Sequence, residues 1–477
     1  MMTANPRRGD AAALRNTGWM VFNQVLGMGL RLGYVLLAAR LLAAETYGLL
    51  AYAQSWYIVV MPMALLGISI QLGRALGADP ARGLAFAAQT RAWRLAVALL
   101  ASGAVVVLAT CIEPEREQAM VICVFALALV PRVLSLGSEA VLTGLERGDQ
   151  TLANHLTWRA AELASAVVAL LAGGGILALA WLHLASWTAQ SLTGYRRERR
   201  LARDWPDPRP ADGAAAALFR DGLQIALAAT VNGLLIGGLL ILFRLMTGSS
   251  DQLGAVALCL QMVGMLIGLA VAVGNALLPY LARRDRQADD PLPRRLLCAG
   301  LALAAFGAAA GLPMSGPWLP ALLGVGFTPL VRWLPLLPLF AGLILTETLL
   351  ARLLVVQAGT ARLLPIAVVA IGSAFLAAPV LILTLGGVGV LMAALLGYAL
   401  QAMLMALAVI DALGLPRRGL WAPWLGFALT VVIVLMAGAA PLHAALTLLL
   451  IGSAAAIGAS GRFRSCNAQI KHRKSKA

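Results

Sequence analysis

The sequence predicts an all-α polytopic membrane protein of about fourteen transmembrane helices, built as two pseudo-symmetric six-helix lobes plus two C-terminal helices. Three observations lead there. First, 61% of the 477 residues are hydrophobic and only 12% are charged, against roughly 25% charged in soluble domains. Second, apolar stretches recur from Thr17 to Ser460, many near the ~20 residues that cross a bilayer as helix; a β-barrel would show short alternating strands instead. Third, the basic residues are sorted by side, as counted below.

The segments that read as spans are 17–42, 47–73, 93–112, 119–143, 152–172, 175–195, 221–243, 253–281, 295–313, 329–357, 363–385, 388–410, 421–439 and 441–460. The fifth is the least apolar, with His155, Arg159 and Glu162 in its first half. The N-terminal MMTANPRRGDAAALRNTG is polar and basic and reads as a cytosolic leader, not a signal peptide. The segment 74–94 reads as a cytosolic loop. PMSGPWLPALLGVGFT, 313–328, is mostly apolar and reads as an outward re-entrant or interfacial segment.

With the N-terminus in the cytosol, 31 of the 37 Lys and Arg fall on the cytosolic side. Only Arg40, Arg116, Arg244 and Arg332 face outward, while Arg31 and Arg132 lie inside spans. That asymmetry is the positive-inside pattern. It also supports the fifth span, because every later loop would change sides without it. The net charge of +16 is therefore orientation and contact with anionic membrane lipids, with no nucleic-acid partner. Both termini are expected in the cytosol. The five cysteines and four histidines are scattered, without metal or redox spacing, so no metal and no cofactor is expected.

The halves repeat. Leu14–Arg15 and Phe219–Arg220 open the first and seventh spans, Arg40 and Arg244 close them, and Gly48 and Gly254 start the next ones. The offsets are 205, 204 and 206 residues. Two lobes of equal orientation are expected to rock about an axis along the membrane normal. The expected organisation is an N-terminal lobe at 1–195, a cytosolic linker at 196–220, a C-terminal lobe at 221–410, two further helices at 411–460, and a basic tail at 461–477.

Three stretches carry a family resemblance. AARLLAAETYGLLAYAQSWYIVVMPMALLGIS resembles the first helical hairpin of the polysaccharide-export flippases, whose pattern is roughly A-R-(L/F)-L-G-x-x-x-(Y/F)-G with a glycine about twenty residues on. Arg40, Leu42, Tyr47, Gly48 and Gly67 match it. LGAVALCLQMVGMLIGLAVAVGNALLPYLAR is similar to the eighth helix, with the proline-containing exit at Pro279 to Arg283. LPALLGVGFTPLVRWLPLLPLFAGLILTETLLARLLVVQAGTAR is similar to the loop and tenth helix, with a turn at Gly324 to Phe327. The likeness runs from about Arg15 to Ile410. One departure is Ala43, which stands where the family usually has glycine and is expected to stiffen the turn.

The resemblance implies the fold of the multidrug/oligosaccharidyl-lipid/polysaccharide exporters. It also implies transport, not catalysis: alternating access carries a polyprenyl-pyrophosphate-linked oligosaccharide from the inner to the outer leaflet of a bacterial cytoplasmic membrane. The partners it implies are that lipid-linked oligosaccharide and polysaccharide polymerase machinery.

Such a cargo makes physical demands. Each sugar hydroxyl stripped of water without a partner costs on the order of a few kcal/mol, and the pyrophosphate is charged besides. Arg31 and Arg132, mid-span where an arginine costs about 2.5–3.5 kcal/mol, are the candidate phosphate contacts, because a guanidinium pairs bidentately with phosphate oxygens. The alternative is that each neutralises a buried carboxylate. Glu139 and Glu347 are the candidate coupling or cavity carboxylates, with H+ or Na+ as coupling ion; the alternative is ion pairing, Glu139 with Arg132 and Glu347 with Arg352. Arg40, Glu45 and Arg244 are the candidate external gate, or else interface anchors. Tyr52, Trp56 and Tyr57 read as an interfacial aromatic belt rather than sugar platforms.

Three other readings compete. A multidrug cation antiporter on the same fold would place acidic residues in its cavity, and a peptidoglycan lipid II flippase shares both fold and cargo type. A membrane glycosyltransferase or polymerase needs a sizeable outward catalytic loop. The only charged outward cluster here is EPERE, Glu113 to Glu117, too short for one.

Overall fold

The computed structural model describes residues 6–203, 214–248, 252–282, 292–314, 318–359, 361–414, 421–436 and 441–460, and the regular elements among them are all helical. Helix α1 spans Pro6–Leu65, α2 Ile68–Ala78, α3 Pro80–Ile112, α4 Arg116–Gly144, α5 Gly148–Leu171 and α6 Ile176–Ala202. A second series follows: α7 (Ala214–Gly233), α8 (Leu239–Thr247), α9 (Leu253–Ala282), α10 (Leu292–Met314), α11 (Trp318–Leu323), α12 (Thr328–Trp333) and α13 (Leu337–Ala358). The chain ends in α14 (Leu363–Leu385), α15 (Gly387–Leu413), α16 (Trp421–Met436) and α17 (Pro441–Ser460). The described residues of the predicted spans are mostly helical, with a break at Leu66–Gly67 inside the second. Among the described residues nine helical segments are long and apolar enough to cross a membrane, so this is a multi-pass membrane protein.

The first predicted hairpin lies within α1 as far as Leu65, and the last residues of its second predicted span, 68–73, belong to α2. Ala43 leaves helical geometry at φ 63°, ψ 169°, a region nearly reserved for glycine because a Cβ crowds the backbone there. Tyr34 and Tyr47 would stand about 20 Å apart along a straight helix, yet they lie within electrostatic reach of each other. The helix therefore folds back at Ala43, and the alanine bears strain that the family's usual glycine avoids. The second arm ends at Gly67, which takes a left-handed φ of 61° before α2 begins.

Two expectations are corrected. The segment 74–94 is not a loop: α2 runs to Ala78 and α3 starts at Pro80. Asp79 accepts hydrogen bonds from the amides of Ala81 and Arg82, and Pro80 occupies the first helical position, a cap worth about 1 kcal/mol. Charge density made the segment look like a loop, but helix needs only its own backbone partners. Tyr52, Trp56 and Tyr57 are no interfacial belt either; all three are buried, because the second arm of α1 is enclosed by other helices.

The chain divides into two compact units, Met1–Leu258 and Cys259–Ala477. In the first, Leu66, Leu72, Leu76, Leu84 and Val141 form a dry cluster. In the second, Leu297, Leu350, Leu354, Met405 and Val409 do the same. Gly48 and Gly254, equivalent in the predicted repeat, touch within the first unit: a Cβ on Gly254 would lie 2.0 Å from the carbonyl oxygen of Ala44, and one on Gly48 would lie 2.7 Å from the amide of Gly254. The predicted linker 196–220 is helical at both ends, through Ala202 and from Ala214, while 204–213 and the basic tail 461–477 lie outside the described residues. Among its described residues, the segment predicted to face outward, 313–328, contains α11 and a short 3-10 turn, Val325–Phe327.

Candidate functional site

The N-terminal unit holds a dense polar cluster where α1, α4, α5 and α6 meet. Small residues let these helices approach. A Cβ on Gly27 of α1 would lie 2.7 Å from the His155 ring of α5, and one on Gly194 of α6 would meet Ser138 of α4 at 3.4 Å. Polar ties then fix the rotation of α5 against α6: Asn154 donates to the Gln190 carbonyl (3.1 Å), Thr193 donates to Asn154 Oδ1 (2.6 Å), and the Trp158 indole donates to Thr193 (2.9 Å).

Arg132 projects from α4 onto two aromatic faces, 5.0 Å from the Tyr57 ring centre and 4.7 Å from that of Trp187. Arg159 of α5 lies over the same Trp187 ring at 4.0 Å. A cation over an aromatic face gains roughly 0.5–2 kcal/mol, so one indole supports two guanidinium groups. Arg159 is further held by Glu162 through an ion pair and by Ser186, to which it donates at 2.9 Å. Arg31 is accessible and stands within electrostatic reach of both Tyr47 and Arg132. Arg132 thus feels repulsion from Arg31 and Arg159, and attraction from Glu139 and Glu162. With His183 neutral, three positive charges face two negative ones.

Both intramembrane carboxylates are held by amides and hydroxyls, not by the arginines the ion-pair alternative named. Glu139 accepts from Gln190 Nε2 at 2.6 Å and from Ser135 at 3.3 Å. Glu347, in the C-terminal unit, accepts from Gln401 Nε2 at 3.0 Å and from Thr348 at 3.4 Å. Among the described residues no ion pair joins Glu139 to Arg132 or Glu347 to Arg352.

At the predicted outer end, Arg244 of α8 pairs with Glu115 at 3.2 Å and with Glu113 at 3.8 Å. Tyr52 donates to the other Glu113 oxygen at 2.9 Å. The EPERE cluster is therefore the partner of Arg244. Arg40 and Glu45 are exposed, and among the described residues neither has an ion pair.

The sequence offers Glu162 beside Glu139 as a carboxylate for the mid-span arginines, but does not unite Arg159 and His183 with Arg132. Charge sorting assigns Arg159 to the cytosolic side, although it stands four residues from His155 and three from Glu162. A polar residue every three to four positions is the spacing of one helical face, and that signal was available. No signal in the sequence tied Trp187 or Tyr57 to the arginines. Several buried polar atoms around the cluster have no partner: Tyr57 Oη, Arg132 Nε, Arg159 Nε and Gln190 Oε1. Unpaired buried polar groups cost roughly 1–3 kcal/mol each; the donors Tyr57 Oη, Arg132 Nε and Arg159 Nε fit a ligand that brings oxygens, and the Gln190 Oε1 acceptor fits one that brings a hydroxyl.

The fold resembles those of known transporters. The lipid II flippase MurJ in an inward closed conformation matches with a TM-score of 0.61 at 11% identity, covering 94% of this chain and 98% of that one. An outward-facing multidrug resistance MATE transporter of the MOP superfamily matches at 0.60 and 16% identity, over 84% of this chain and 95% of that one. A MOP superfamily transporter from Pyrococcus furiosus, noted for a binding pocket of reverse polarity, matches at 0.53 and 12% identity, over 84% and 95%. No curated protein matches the chain significantly in sequence. Residues 13–284 match the model of the family described as polysaccharide biosynthesis protein. That match spans more than half of the sequence, and the chain belongs to the polysaccharide biosynthesis protein family.

Proposed function

We propose that the chain is a flippase that moves a polyprenyl-pyrophosphate-linked oligosaccharide from the inner to the outer leaflet of a bacterial cytoplasmic membrane by alternating access. The observation that carries this reading is the cluster of Arg31, Arg132 and Arg159 on membrane helices, in excess over Glu139 and Glu162 and bordered by unpaired donors. Charges in a bilayer are retained when they face a partner or a cavity. An excess of guanidinium suits a pyrophosphate, and orphan donors suit sugar hydroxyls. Family membership supports the same cargo class.

In this reading Arg132 and Arg159 hold the headgroup and Arg31 meets it from α1. Arg244, gripped by Glu113 and Glu115, closes the outer end of the N-terminal unit, with Arg40 and Glu45 at the same end. Glu139 and Glu347 are the carboxylates available for a coupling H+ or Na+. The sorted basic residues support cytosolic termini.

Loss of the chain is expected to make lipid-linked glycan accumulate on the cytosolic leaflet, read by accessibility of the glycan to an impermeant label. If resistance to cationic dyes falls instead and no glycan accumulates, the chain is a drug exporter. If the accumulating lipid is the peptidoglycan precursor, the cargo is lipid II.

A further inference from the structure

His183 of α6 sits between a carboxylate and an indole. Its Nδ1 is 2.6 Å from Glu162 Oε1, and the Trp187 indole nitrogen is 3.1 Å from its Nε2. An indole N–H can only donate. His183 Nε2 must therefore present a lone pair to Trp187, and Nδ1 carries the proton that Glu162 accepts. The geometry alone defines a neutral imidazole in one tautomer. The Tyr57 ring stands edge-on to it at 5.7 Å and the Phe125 ring lies tilted beside it at 5.2 Å.

We propose, building on the flippase reading, that His183 Nε2 takes the coupling proton, leaving Glu139 and Glu347 as cavity carboxylates, and that a proton there and the Trp187 hydrogen bond exclude each other. When a proton adds to the Nε2 lone pair, the imidazolium has two N–H groups. One keeps its bond to Glu162, and the other points at the indole N–H, so the N–H···N bond is lost. Trp187 is the ring beneath both Arg132 and Arg159, so releasing it loosens the two cations that hold the headgroup. Proton binding and anion binding are then linked through one side chain.

The charged and titratable groups facing His183 are Glu162 and Arg159 on α5, Arg132 on α4 and Tyr57 on α1. Behind them stand Glu139, which reaches both arginines, and Tyr34, which reaches Glu162 and Arg159. Histidine is the side chain whose ordinary charge change falls near physiological pH. The carboxylates do not offer the same mechanical consequence, because Glu139 is held by Gln190 and Ser135 and neither of these carries an arginine.

The test uses the full chain in lipid nanodiscs without cargo. Tryptophan emission is titrated between about pH 4 and pH 8 for the wild type, for Trp187→Phe and for His183→Gln, whose amide accepts a hydrogen bond but does not titrate. A step in the wild type that is missing from both variants is the expected result. The same step in His183→Gln, or an unchanged step in Trp187→Phe, overturns the proposal; so does a wild type without a step. Either variant alone decides if the other does not fold. Inorganic pyrophosphate binding is then measured across the same range. Its affinity is expected to change with pH at least fivefold more in the wild type than in His183→Gln, and equal pH dependence overturns the linkage. Absence of pyrophosphate binding at every pH would sink the flippase reading, while the fluorescence result still decides the proton site.

Discussion

Glu139 in the N-terminal unit and Glu347 in the C-terminal unit each accept a hydrogen bond from a glutamine amide, Gln190 and Gln401. The carboxylates are 208 residues apart and the glutamines 211, close to the repeat offset of about 205. Each glutamine has an aromatic residue three positions earlier, Trp187 and Tyr398. The surroundings differ sharply. Around the first pair stand Arg132 and Arg159, with Arg31 in reach of Arg132; near the second the one cation in electrostatic reach among the described residues is Arg352. The lesson is a division of labour. A shared carboxylate–amide element is preserved in both halves, and one half has surrounded it with guanidinium.

The largest way to break this comparison is Arg159→Ala. It removes the ion-pair partner of Glu162, leaving that carboxylate the His183 N–H, and breaking a buried pair costs about 3–5 kcal/mol. Loss of glycan translocation in proteoliposomes together with a lowered melting temperature is expected, whereas Arg352→Ala should retain most transport. If Arg352→Ala is as damaging as Arg159→Ala, the asymmetry between the units carries no functional meaning.

Packing should be symmetric where chemistry is not. A Cβ at Gly254 would meet a backbone oxygen at 2.0 Å, and one at Gly342 of α13 would meet the Gly300 carbonyl oxygen of α10 at 2.3 Å. Gly254→Ala and Gly342→Ala should each destabilise by about 1–3 kcal/mol, the cost of forced overpacking, as measured by thermal unfolding in detergent. A harmless substitution in one unit would show that its helices are less tightly held than drawn.

A finer probe is Glu139→Gln. It removes one negative charge beside the arginines and keeps the shape, so inorganic pyrophosphate should bind more tightly by about 1 kcal/mol, roughly fivefold. The matching Glu347→Gln should leave that affinity unchanged. Equal effects of the two would place the anion site elsewhere.

The smallest expected effect is at Ala43. Ala43→Gly relieves backbone strain but frees the unfolded chain, and the net gain should be about 0.5 kcal/mol. An unfolding temperature that falls instead would mean that the positive φ is not the resting geometry.

Much of the architecture was legible before any coordinates. The spans could be read because a helix in lipid satisfies its own backbone, so length and apolarity suffice. The turn between Arg40 and Gly48 was legible from the residues that match the family pattern there. The site was legible only in part. Arg132 and Glu139 stand seven residues apart on α4, which reads as a pair, yet each prefers a partner on another helix: the rings of Tyr57 and Trp187 for one, Gln190 for the other. Arg244 likewise finds Glu115 and Glu113, 129 and 131 residues away in sequence.

By itself the sequence determined the helical class and the presence of arginines within apolar helices, because these depend on local hydrogen bonding and on hydropathy along one segment. Only the tertiary structure decided that Arg132, Arg159, Trp187 and His183 form one site. Side chains on different helices meet according to how each helix is rotated and how closely it approaches its neighbours. Those quantities are set by contacts such as Gly27 against His155 and Asn154 against Gln190, which no single segment contains.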